Sequence, residues 1–290
     1  MPKPRATLIA AADQAGHAAA QTDIHTPLLD EYLRQLYLGS FISNHAKFAL
    51  EAANANQGYA DFLLALAECE VAQRQQRRHT LRIREAHLPT AKELADFDFS
   101  VIPSLNKASL LELARGNYLA NAENLLLIGR PGLGKTHVAT ALALAACRQG
   151  RRVRFYNAAS LVNELLLAQE QHQVERLIAA AGRHQLIVLD ELGFIPFTNQ
   201  GAQLMFQFCA ALHEHVSLII TTNLKFADWV QVFGNDTLTA ALLDRLTHRA
   251  HILEFLGTES FRFKHRLKRQ TQLPELPQGG DVPTDLLPNI

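Results

Sequence analysis

Gly129-Arg-Pro-Gly-Leu-Gly-Lys-Thr136 decides how this chain folds. The stretch fits the pattern G-x-x-x-x-G-K-[ST]; an apolar run (Asn124 to Ile128) precedes it and a helical one (His137 to Arg148) follows. Strand, glycine-rich turn and helix in that order make a cradle for phosphate. The glycines let the backbone curl so that successive N–H groups point inward, and the helix N-terminus adds its dipole. Lys135 is placed to reach the β- and γ-phosphates of a nucleotide, and the Thr136 hydroxyl to ligate Mg²⁺. The candidate nucleotide-binding residues are Gly129, Arg130, Pro131, Gly132, Leu133, Gly134, Lys135, Thr136 and His137.

Outward from this loop, short apolar runs alternate with helical patterns. The runs are Leu125–Ile128, Val153–Tyr156, Leu186–Leu189, Leu218–Thr222 and Ile252–Phe255. Strands without polar alternation, separated by helices, predict a parallel five-stranded sheet covered on both faces, an α/β fold with three αβα layers of the P-loop NTPase kind. The run Leu186-Ile-Val-Leu ends in Asp190 and Glu191. At the C-terminal edge of a strand these carboxylates would face the phosphate crevice. Asp190 is the candidate Mg²⁺ ligand, directly or through water, and Glu191 the group that polarises an attacking water. The run from Leu218 ends at Asn223, a residue suited to hold that water and equally suited to a helix N-cap or turn. Arg245 stands late in a helical stretch from Thr237 to Leu246. Its guanidinium suits transition-state charge stabilisation in a neighbouring copy's site, or an ion pair with Asp244, or plain solvation.

The rest of the composition sets bounds. A chain of 290 residues with 48% hydrophobic content can build one large or two modest domains. The formal net charge is zero, so contact with nucleic acid needs a local basic patch. Cys69, Cys147 and Cys209 form no C-x-x-C, which suits a reducing cytoplasm. No apolar run approaches the length of a membrane span. His213-x-His215 and His248-x-x-His251 carry no visible carboxylate or cysteine framework, so the histidines alone do not predict a metal site.

Residues 1–22 are Ala/Gln-biased and read as a flexible tail; residues 23–88 read as a small all-helical domain, 89–270 as the nucleotide-binding domain and 271–290 as a disordered Pro-rich tail. In the helical domain Leu28, Leu29, Tyr32, Leu33, Leu36 and Tyr37 recur at helical spacing, and Asp61 is a candidate cap for a helix carrying Phe62, Leu63 and Leu66. Arg74, Arg77, Arg78 and Arg82 fall on one broad helix face. They are the candidate contacts to double-stranded DNA, through phosphates and largely without sequence preference. A solvated face, or one docked on an acidic surface, has the same pattern. A second basic cluster runs from Arg262 to Arg269.

Taken together, these residues resemble the AAA+ ATPases, and within them the IstB family of transposition helper proteins. The resemblance spans roughly Thr26 to Lys268 and rests on Asp96-Phe-Asp-Phe99, Gly129–His137, Leu189-Asp-Glu-Leu-Gly-Phe-Ile-Pro196, Ile219-Ile-Thr-Thr-Asn-Leu-Lys-Phe226, Trp229-Val-Gln-Val-Phe-Gly-Asn235, Leu243-Asp-Arg-Leu246 and Glu259-Ser-Phe-Arg262. It implies ATP and Mg²⁺ as ligands, ATP hydrolysis, ATP-dependent self-oligomerisation on DNA, and recruitment of a transposase encoded by the same element. It also implies that Arg245 acts in trans and that Arg262 is the sensor-2-like basic residue. The chain departs from typical relatives at Leu212-His-Glu-His215 and Thr247-His-Arg249. Two other readings share the core: a helicase-loading factor of the DnaC type, and a small-molecule kinase. The Asp190-Glu191 pair followed by Asn223 favours hydrolysis over transfer to a small acceptor.

Overall fold

The computed structural model describes residues 26–257; both tails and Arg262 lie outside them. The chain divides into two compact units, one ending at Thr80 and the other beginning at Leu81.

The first unit is helical. Helix α1 covers 26–35, α2 Gly39–Asn54 and α3 Tyr59–Glu85, the last running across the division. Asp61 is not the cap of α3 but a first-turn residue, its carboxylate accepting from the Gly58 N–H at 3.3 Å. The start of α2 is anchored by a buried charge. Glu70 Oε2 accepts from Ser40 N at 2.8 Å, and Glu70 Oε1 accepts from Arg74 Nε at 2.6 Å. A carboxylate at a helix N-terminus satisfies an orphan donor and meets the positive end of the dipole. Burial alone would push the Glu70 carboxyl up, but the bonds from Ser40 and Arg74 outweigh it and hold it below the usual range. Of the apolar repeat in α1, Leu33 is buried while Leu28, Leu29, Tyr32, Leu36 and Tyr37 stay exposed.

The second unit opens with two short 3-10 turns at Leu94–Asp96 and Phe99–Val101, then α4, Lys107–Ala114. Strands and helices then alternate: β1 Asn124–Gly129, α5 Lys135–Arg148, β2 Val153–Asn157, α6 Ala158–Glu170, α7 Val174–Ala181 and β3 Leu186–Leu192. They continue with α8 Asn199–Leu212, β4 Ser217–Thr222, α9 Val230–Phe233, α10 Asp236–Thr247 and β5 Ala250–Phe255. The strands form one parallel sheet in the order β2-β3-β4-β1-β5, as the apolar runs predict.

Period-two alternation gives the sheet two dry faces. Leu126, Ile187, Leu189, Leu218 and Ile220 pack with α6, α8 and α10, whereas Leu125, Leu127, Val188 and Ile219 pack with α5. All of β4 is buried. Because β4 lies between β1 and β3, the loop after β1 and the carboxylates of β3 face one crevice, separated by the end of β4. No described helix is long and apolar enough to cross a membrane.

Candidate nucleotide site

The loop after β1 takes the curled shape its glycines permit. Gly134 caps α5 with φ +85°, and a Cβ there would stand 2.7 Å from Phe97 Cε2. The Phe97 ring therefore lies directly on the loop. It also meets the His137 ring edge-on at 5.4 Å, and His137 Nε2 is 2.9 Å from the Glu93 carbonyl oxygen. So the Asp96-Phe-Asp-Phe99 segment braces the loop from outside. Lys135 Nζ donates to the carbonyls of Gly129 and Arg130, at 2.5 and 2.9 Å. These bonds hold the ammonium across the mouth of the loop.

The carboxylates sit differently from one another. Asp190 is 6% exposed and accepts from Thr136 Oγ1 at 2.9 Å and from Thr221 Oγ1 at 2.6 Å. Burial raises its carboxyl above the usual range and the charge of Glu191 adds to that; the two hydroxyls and Lys135 pull the other way. The sequence places both carboxylates at the C-terminal edge of the strand, and β3 runs one residue further, to Leu192, with an irregular register against β4 between Leu189 and Leu192. Glu191 occupies that irregularity with φ +60°, a left-handed conformation that side chains seldom adopt. The Glu191 N–H donates to Thr221 Oγ1 at 2.9 Å, which stabilises the bulge. The effect is to turn Glu191 out to solvent beside the buried Asp190.

Asn157 and Thr221, both bonded at the carboxylates, are among the residues that sequence reasoning missed. Asn157 Nδ2 donates to Glu191 Oε2 at 3.2 Å, while its Oδ1 caps α6 through Ala159 N at 3.1 Å. The β2–β3 register pairs Asn157 with Asp190, so strand pairing brings it to the carboxylates. An Asn between an apolar run and a helix was legible as a cap; its second bond was not.

A cavity of about 290 Å³ unites these parts. Lys92, Pro131, Gly132, Gly134, Lys135, Thr136, His137, Glu191, Phe194, Thr221, Thr222 and Asn223 line it. Gly129, Arg130 and Leu133 belong to the same loop but not to the lining, Leu133 being buried in the core. Asn223 is exposed at the end of β4 and caps no described helix. Thr136 and Asp190 present hydroxyl and carboxylate oxygens side by side, a hard-oxygen set that fits Mg²⁺. Arg245 is not part of the lining. Its guanidinium lies over the Phe206 ring, 5.1 Å from the centroid, and donates to the Ala241 carbonyl at 2.8 Å.

The arginines of α3 do not form one uniform row. Arg74, Arg77 and Arg78 are exposed, but Arg74 is tied to Glu70 and also donates to the Tyr37 carbonyl at 2.8 Å. Arg77 donates to Gln73 at 2.9 Å. Arg82 departs from the expected face: it pairs with Glu85 at 2.9 Å and its Nε is buried. The cause is the end of α3, where Ile83 and Ala86 pack into the core beneath α5.

Known proteins with this arrangement point the same way. The family model for IstB-like ATP binding protein matches residues 31–269. A Pseudomonas aeruginosa protein named for ATP binding in insertion sequence IS21 is 36% identical over 228 residues, 78% of this chain and 86% of its own length. A Sinorhizobium fredii protein, also named for ATP binding in an insertion sequence, is 37% identical over 231 residues, 79% of this chain and 77% of its own. Among solved structures, AMPPCP-bound DnaA from Aquifex aeolicus superposes with a TM-score of 0.51 at 18% identity, covering 66% of this chain and 58% of that one. That likeness concerns the fold alone. With the family match running through both units and the loop, Glu191 and the β4 end gathered at one cavity, the chain belongs to the IstB-like ATP-binding proteins of insertion sequences.

Proposed function

We propose that this protein hydrolyses ATP with Mg²⁺, oligomerises on double-stranded DNA in its ATP state, and recruits the transposase of its own element to that DNA. The convergence of Lys135, Thr136, Glu191 and Asn223 on one cavity, with Asp190 bonded to Thr136 behind them, carries this reading. Thr136 and Asp190 would hold Mg²⁺, which would supply charge neutralisation at the phosphate oxygens. Lys135 binds the β- and γ-phosphates, the loop N–H groups orient them, and Glu191 takes a proton from a water that Asn223 positions.

Arg245 stands outside the cavity lining, which supports a role in a neighbouring copy's site. Exposed Arg77 and Arg78 supply phosphate contacts, with Arg74 contributing a guanidinium already shared with Glu70. Arg82, half-buried and paired, drops out of that set. The exposed apolar residues of α1 offer a surface for a protein partner. Arg262 remains the candidate sensor-2 residue.

The deciding experiment mixes two inactive variants. Glu191→Gln and Arg245→Ala should each bind ATP yet release phosphate at least ~10-fold more slowly than wild type. A mixture should recover hydrolysis, because a copy with intact Glu191 can take Arg245 from its neighbour. No recovery at any ratio rules out action in trans. Assembly is tested on random-sequence duplex: a non-hydrolysable ATP analogue should steepen the salt dependence, and Arg77→Ala with Arg78→Ala should flatten it.

A further inference from the structure

The histidines that the sequence leaves without a framework acquire one in the fold. His213 follows the last residue of α8, and His248 follows the last residue of α10. Their rings stand 6.0 Å apart between centroids and nearly perpendicular, at 71°. Glu214 brings a carboxylate to the pair. One donor atom from each of the three residues lies within 4.8 Å of the others.

We propose that His213, Glu214 and His248 form a binding site for a divalent transition-metal cation of the Zn²⁺ type. Two imidazoles and a carboxylate are a donor set that such ions prefer, with a fourth position left to water. Tetrahedral bonds of ~2.0–2.2 Å put ligand atoms about 3.3–3.5 Å apart. Closing from the observed spacing takes side-chain rotations of about 1.5 Å at most, and Glu214 and His248 are exposed and free to make them. His213 Nε2 and Glu214 Oε1 are 4.0 Å apart, too far to hydrogen-bond directly and about 0.5–0.7 Å wider than a shared tetrahedral cation would set them.

Two further observations favour a cation here. The site is built on the C-terminal ends of two helices, where unpaired carbonyls concentrate negative potential. Glu214 also has φ +62°, a left-handed backbone conformation that side chains seldom adopt. That conformation belongs to the tight turn that presents the carboxylate beside His213. The nearest arginine in the helix, Arg245, is directed onto Phe206 and the Ala241 carbonyl. None of the three ligands lines the nucleotide cavity, so this site stands independently of the role proposed for Arg245.

The test uses the full chain, stripped of metal with a chelator and free of nucleotide, titrated with Co²⁺ while visible absorption is followed, then with Zn²⁺ in competition. One equivalent of Co²⁺ should bind with the intense absorption of a four- or five-coordinate ion, and Zn²⁺ should displace it. His213→Asn and His248→Asn should each weaken binding about 100-fold, at least what loss of a supporting group costs in metal sites. Glu214→Gln should weaken it about 10-fold or more. His215→Asn, next in sequence but outside the cluster, should bind as wild type does. Circular dichroism and affinity for a fluorescent ATP analogue, unchanged in every variant, confirm intact folding. Absence of saturable uptake, or wild-type binding by His248→Asn, overturns the proposal. A His215→Asn defect as large as that of His248→Asn overturns it as well.

Discussion

The side-chain amide of Asn157 holds the carboxylate of Glu191 across 3.2 Å, from the end of the neighbouring strand. The same Asn caps α6 through its other atom, and the two duties separate by mutation. Asn157→Ser keeps a capping oxygen but cannot reach Glu191. It should raise basal phosphate release several-fold while leaving stability within about 0.5 kcal/mol of wild type. Asn157→Ala releases Glu191 too but loses the cap, costing about 1 kcal/mol. Steady-state turnover and thermal unfolding of both variants check this; unchanged turnover in both would mean that the bond does not restrain Glu191.

Asp190 predicts a dependence on pH. Its carboxyl is raised, chiefly by burial, so the folded chain binds that proton more tightly than the unfolded one. The resulting stability is full in acid and declines as pH climbs from the ordinary carboxylate range through the raised value. Asp190→Asn retains an acceptor for Thr136 or Thr221 and has no charge to bury. Without nucleotide it should melt above wild type at neutral pH, the two curves converging in acid. It should also lose the Mg²⁺-dependent tightening of ATP-analogue binding. Melting curves from acid to neutral pH decide it; parallel profiles would remove Asp190 as the cause.

Gly134→Ala should be severe for two reasons that can be told apart. The φ of +85° is strained for any Cβ, by about 1–2 kcal/mol, and the Cβ would meet Phe97 at 2.7 Å. Adding Phe97→Leu should relieve the clash and leave the backbone strain, so ATP-analogue affinity should recover only in part. Complete recovery would put the whole effect on the ring.

Trp229, the one tryptophan of the chain, is buried, and its indole N–H has no hydrogen-bond partner among the described residues. Trp229→Phe removes that donor, recovering about 1–3 kcal/mol, and leaves a void of comparable cost. The net change should stay within about 1 kcal/mol, against about 3–5 kcal/mol for Trp229→Ala. Urea unfolding followed by circular dichroism measures both; a loss above about 3 kcal/mol for the Phe variant would imply a bond to the indole N–H.

How much of this was legible follows from what each feature depends on. The central strands β1, β3 and β4 were readable because a doubly covered parallel strand is a continuous apolar run, and Leu186–Leu189 or Leu218–Thr222 admit little else, whereas the edge strands β2 and β5 are only partly buried. The loop was readable because its glycines, Lys135 and Thr136 act within one turn. The outward set of Glu191 was not, because it arises from a register irregularity against β4 and a bond to Thr221. The fate of the α3 arginines depended on Glu70, whose burial no periodicity reveals, and on Glu85, which pairs with Arg82 within one turn. His213 and His248 stand apart in sequence and meet only because α8 and α10 pack side by side.

The position of β4 has a consequence for how the protein is made. β1 and β3 each pair with β4 and not with each other. A nascent chain that has emerged as far as Leu192 already contains the whole loop and both carboxylates, yet has no strand on which to register them. Only when Ser217–Thr222 leaves the ribosome can Thr136 and Asp190 settle opposite one another. ATP therefore has no assembled pocket to enter during synthesis of the first three strands, and a message truncated there yields a chain with the whole loop and both carboxylates and no competence.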